Sequence, residues 1–207
     1  MALTDTVTAY SGQETTKTAL VSNQLRQKTA IGSTPSSIST ITAVEYGDGA
    51  DITTVLTLTN FVVGTIPSAN AALGVGNIVY SYPTSDQHFE LVSSFWGLAL
   101  TLPGAGVACD TGLGSVIASG AVSTLDGTAT FEDRKTGVAI TTAAAGGTAV
   151  NSGPVATTAG IGTGIALNGT SSVKNVFLNA AGTFATVNAG SLTATGQIFL
   201  KWTRMSS

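Results

Sequence analysis

What this chain lacks narrows its chemistry before any pattern is read. Of 207 residues only 9% are charged and 6% aromatic, with one cysteine and one histidine. The charged fraction is far below the usual quarter, and mean hydropathy is +0.36. Bulk disorder, which needs high charge and low hydropathy, is therefore excluded. The scarcity of Glu, Lys, Arg and Leu beside abundant Thr, Val and Gly argues against a helix bundle. Cys109 stands alone, so no intrachain disulfide can form. Zinc sites need several His or Cys ligands, and the chain offers only His88 and Cys109. The net charge is −3, and the only clustered cations, Arg134-Lys135, are flanked by Glu132 and Asp133. Without a basic stripe, no nucleic-acid partner is expected. The longest apolar runs, such as 75–80 and 95–102, are broken by Gly or polar residues and fall short of a bilayer span, so no membrane partner is expected either. The opening Met1-Ala2-Leu3-Thr4-Asp5 has neither a basic nor an apolar leader region, which predicts synthesis in the cytoplasm without a standard secretion signal.

What remains is an all-β composition with length enough for one hydrophobic core. Residues 1–37 stand apart, rich in Thr, Ser, Gln and Asn, and read as an N-terminal arm closed by Pro35. Ser11-Gly12-Gln13-Glu14 could cap a short helix running to Leu25, although its apolar face would be only Leu20, Val21 and Leu25. Residues 38–207 read as an antiparallel β-sandwich or jelly-roll-like barrel. Strands are expected over 41–46, 53–63, 77–82, 88–93 and 96–102, and a hairpin over 121–131 around Asp126-Gly127. The closing strand is the clearest. Leu192, Ala194, Gly196, Ile198, Leu200 and Trp202 share one face, with polar residues opposite, interrupted only by Phe199.

The charge distribution calls for an explanation. No acid follows Asp133, and between Lys135 and Lys201 the only charge is Lys174. So long an uncharged stretch makes a poor solvent-facing surface and leaves sheet edges undefended. Burial between copies of the chain accounts for it.

Chemistry-bearing residues are few. His88 lies in Ser85-Asp86-Gln87-His88, but no Gly-x-Ser-x-Gly elbow supplies a nucleophile. Nothing near Cys109 would activate its thiol. Gly47-Asp48-Gly49-Ala50-Asp51 and Glu132-Asp133 offer carboxylates without a calcium-loop spacing. The Gly160, Gly162, Gly164 run lacks the dinucleotide spacing, and Asn168-Gly169-Thr170 reads as an Asn-Gly turn. Glu45, Asp48, Glu90 and Asp110 are the acids a glycan-cleaving enzyme would have to pair. No catalytic, cofactor-binding or metal-binding residue is assigned, and no enzyme activity is expected.

Several segments resemble small head-associated proteins of tailed bacteriophages, marine and cyanobacterial phages included, known as decoration or cement proteins. They are Glu45-Tyr46-Gly47-Asp48-Gly49 with Thr53 to Leu58, then 112–120 and 127–133, and finally 176–181 with 192–196. The resemblance covers residues 38 onward and omits the arm. It implies a non-enzymatic virion protein on the capsid exterior, a homo-oligomer and commonly a trimer, whose partner is the major capsid protein. The arm is then expected to reach neighbouring capsid subunits. Two other virion roles compete. A head-fibre, tail or adhesin-type component binding host glycans would expose aromatics, for which Tyr80-Ser81-Tyr82 and Phe95-Trp96 are candidates. A major capsid protein would need a long spine helix, and no such periodicity is present.

Overall fold

The alternation at the end of the chain turns out to be the centre of a sheet. The computed structural model describes residues 40–47, 51–67, 70–82, 87–102, 107–126, 130–142, 150–155, 165–167, 175–184 and 189–205. Among them no helix forms. The strands are β1 (Ile41–Gly47), β2 (Asp51–Ile66), β3 (Asn70–Ser81), β4 (Gln87–Thr101) and β5 (Ala108–Gly114), then β6 (Lys135–Thr141), β7 (Val150–Val155), β8 (Ile165–Leu167), β9 (Asn175–Phe184) and β10 (Gly190–Met205). They make two antiparallel sheets packed as a β-sandwich. Sheet A has the order β1-β2-β10-β4-β7, with β8 also on β4; sheet B has the order β3-β9-β5-β6. The arm, its capped helix and the boundary at residue 37 lie outside the described residues.

β10 is flanked on both sides, by β2 and β4, and both neighbours were expected strands. A central strand buries one whole face, so its sequence alternates most cleanly. Leu192, Ala194, Ile198, Leu200 and Trp202 are all fully buried there. They meet Leu56, Leu58, Phe61 and Val63 of β2 and Leu98 and Leu100 of β4, while Val176, Leu178 and Phe184 of β9 pack from the other sheet.

The expected strands 88–93 and 96–102 are one strand, β4. A sequence break was read at Ser94-Phe95, but the chain absorbs it through two bulges against β10, one near Leu91 and one at Gly97, whose φ is +59°. β-bulges change which side chains face inward without ending the strand. The expected hairpin over 121–131 does not form. Residues 121–126 are in no strand, and Gly120 makes only an isolated bridge to Gly74. The reason is that side chains of sheet B take the backbone groups that a hairpin would have paired.

Candidate functional site

Three regions hold the chain's polar and aromatic chemistry: a belt inside the sandwich and its two outer faces.

The belt crosses the interior near the β1–β2 turn. Glu45 on β1, Thr54 on β2, Trp202 on β10 and Glu90 on β4 all point inward from sheet A and are fully buried. Thr54 Oγ1 accepts a 2.8 Å hydrogen bond from Trp202 Nε1 and itself reaches Glu45 Oε1 at 3.4 Å. From sheet B, Tyr80 donates its hydroxyl to Glu45, and the Arg134 guanidinium pairs with Glu90. Ser93 Oγ donates to Glu90 Oε1 at 2.9 Å. Tyr82 fills the middle, edge-on to both Tyr80 and Trp202, with Arg134 5.6 Å above its ring. Burial lowers Arg134 to about 10 and raises Tyr82. Lys135 lies beyond the belt, its Nζ 5.1 Å from the centre of the Phe95 ring and without a hydrogen-bond partner among the described residues. Burial lowers its pKa too. Charges this deep hold one register between two sheets, because any slip would strand them in a dry core.

The outer face of sheet B is covered by the chain itself. Residues 115–126 and 130–134 run across all four strands, held by side chains that stand in for a partner strand. Asn179 on β9 accepts from Ala118 N at 2.9 Å and donates to Val116 O at 2.9 Å and Phe131 O at 2.7 Å. Asp110 on β5 accepts from Leu125 N at 3.0 Å. Asp133 takes both the amide and the hydroxyl of Ser115, at 2.7 and 2.5 Å. Glu132 accepts from Gly137 N at 2.9 Å. The strap lies so close that a Cβ on Gly114 would sit 2.3 Å from the Phe131 backbone, and one on Gly137 2.4 Å from Leu125 O. Glycine in a strand marks such a close backbone approach.

The outer face of sheet A is bare among the described residues. Its side chains form rows across β1, β2, β10 and β4. One row is Tyr46, Thr53, Lys201 and Val92; the next is Val44, Val55, Phe199 and Ser94; the third is Thr42, Thr57, Gln197 and Trp96. Trp96 is 61% exposed and Tyr46 51%, with Val62 and Leu91 also exposed. At the end of β2 stands Asp51, opposite Thr203. Asp51 and Lys201 are the charges of this face, and neither makes an ion pair among the described residues.

The residues weighed from sequence fall into place accordingly. Tyr80, Tyr82 and Phe95 are interior, so the proposed exposed aromatic cluster reduces to Trp96. Cys109 is buried on β5, and burial pushes its thiol up to about 12. Glu45 and Glu90 stand on β1 and β4, with β2 and β10 between them, and both are fully buried. Asp110 and Glu132-Asp133 tie down the strap. Burial raises Asp133, against the hydrogen bonds from Ser115. Among the described residues no three His, Cys, Asp or Glu side chains group to hold a metal ion. His88 pairs through its backbone with β10 and β8. Asp48, Gly160, Gly162, Gly164 and Asn168-Gly169-Thr170 lie outside the described residues. What sequence reading missed was the apolar row on sheet A, and Phe199 interrupting the polar side of β10 was its one visible sign. No family model, curated protein or solved structure matches this chain.

Proposed function

We propose that this chain is a structural virion protein that binds the exterior of a tailed-phage capsid as a homo-oligomer, a trimer on the resemblance, and cements neighbouring major capsid subunits. The observation that supports it best is the outer face of sheet A, four strands wide and nearly uncharged, carrying exposed Trp96 and Tyr46 with no described segment over it. A wide, nearly uncharged face that mixes exposed aromatics with Thr, Ser and Gln suits contact with another macromolecule. The interior polar groups are sealed from solvent, which suits a part whose task is shape. A partner that binds only the assembled lattice stabilises that lattice by mass action. The N-terminal arm, residues 1–37, is the proposed reach onto capsid subunits, since extended segments bind well through backbone pairing.

The test is the abundance of this chain in purified virions, measured against the major capsid protein. A fixed stoichiometric ratio to the capsid protein is expected. A handful of copies per particle would move it to a fibre or tail role, with Trp96 the first residue to examine for glycan contact. Absence from virions would overturn the reading.

A further inference from the structure

We infer that the outer face of sheet A is a two-fold interface that takes a second copy of this chain. This goes beyond the capsid reading: it assigns that face to a second copy, which leaves capsid attachment to the arm. Three observations carry it: size, shape and charge.

Strands β2 and β10 have 16 residues each, β4 has 15 and β1 has 7. At about 3.3 Å per residue and 4.8 Å between strands, the face covers about 800 Å², the area one partner contributes to a stable protein–protein interface. The shape is self-complementary under one operator. Take a two-fold axis lying in the face, between β2 and β10 and parallel to both. It carries β2 over the partner's β10 and β4 over the partner's β1, with strands aligned as in ordinary sheet-on-sheet packing. The bulky and small ends of each row are then exchanged. Trp96 falls on the partner's Thr42, Tyr46 on the partner's Val92, and Phe199 on the partner's Val55.

The same operator settles the charges. Asp51 on β2 comes opposite the partner's Thr203, two residues from the partner's Lys201, and the contact repeats with the chains exchanged. An isologous interface requires this reciprocity. Asp51 and Lys201 thereby gain partners across the interface that they lack among the described residues.

The experiment is the solution mass of the full chain by light scattering, alone and as variants. An even number of chains is expected: a dimer, or a hexamer if a three-fold contact is also present. Trp96→Glu is expected to halve that mass while the β-sheet circular dichroism stays unchanged and the melting temperature falls only by what the lost association contributes. Asp51→Lys alone and Lys201→Asp alone each set like charges together and weaken association by about tenfold, and the double exchange restores it. Because Asp51 and Lys201 are also diagonal neighbours on β2 and β10 of one chain, the melting temperature of each charge variant is measured at concentrations where the chains are dissociated, and an unchanged value there assigns the tenfold loss and its rescue to the interface. A monomer or trimer as the only species would overturn the interface, whether the face is then covered by residues 1–39 or by another protein, and would leave the capsid reading untouched. An even oligomer whose mass ignores Trp96→Glu and whose charge variants show no rescue would overturn it as well.

Discussion

The outer face of sheet B is closed by the chain's own residues, whereas among the described residues the outer face of sheet A shows only its own side chains. Both faces belong to antiparallel sheets of one sandwich and border the same core, so the difference lies in what stands on them. Sheet B presents Gly114, Gly137, Asn179 and Asp110: no bulk where a strap must lie, and side-chain donors and acceptors where its backbone needs them. Such a surface takes a main chain. Sheet A presents Val44, Val55, Phe199, Tyr46 and Trp96, which offer nothing to backbone amides and much apolar area to another side-chain surface. The lesson is that the kind of cover a sheet accepts is written in its outward residues.

The comparison breaks most severely where the strap approaches closest. Gly114→Val forces branched bulk into the Phe131 backbone, and overpacking of that kind is expected to cost about 3 kcal/mol or more, read from denaturant midpoints. Asn179→Ala comes next. It strands the buried Ala118 amide and the carbonyls of Val116 and Phe131, for an expected loss of about 2–3 kcal/mol. Hydrogen exchange should then rise over 115–126 while β2 and β10 keep their protection.

A smaller effect comes from the interior that both faces cover. Burial lowers Lys135 and Arg134 below their values in the unfolded chain, where lysine titrates near 10.4. The unfolded chain therefore holds more protons as pH climbs through the folded values, so the contribution of Lys135 to stability rises with pH up to about 10, and that of Arg134 rises only above about 10. In that upper range Tyr82 opposes Arg134, because burial raises its pKa and only the unfolded chain ionises. Lys135→Met should flatten the alkaline rise and increase stability at neutral pH, measured by melting across pH 7 to about 10. The smallest effect is on the bare face. Trp96→Glu should change the stability of the isolated chain by no more than about 0.5 kcal/mol, as surface substitutions do.

The same contrast explains how much the sequence disclosed. The sandwich class and β10 were legible because a central strand alternates strictly. β1 and β2 were legible because β-branched runs end at glycine turns. β5 and β6 were not, since Gly112, Gly114 and Gly137 read as loop although they are strand residues thinned for the strap. The supposed hairpin over 121–131 failed for the matching reason: Leu125 looks like a strand residue, but its amide bonds to the Asp110 side chain on β5. Of the bare face, only Trp96 and Phe199 stood out. The row that joins Phe199 to Val44 and Val55, and the neighbouring row that ends in Trp96, exist only once β1, β2, β10 and β4 are in register.

The most direct test uses the two tryptophans as reporters of the two environments. Trp202 is fully buried and Trp96 mostly exposed in the single chain. Acrylamide quenching, with Trp96→Phe and Trp202→Phe used to separate the signals, should be followed as the protein is diluted. The account predicts that Trp96 is shielded at high concentration and becomes quenchable on dilution, while Trp202 stays shielded throughout. Trp96 readily quenched at concentrations where the oligomer is intact would contradict it.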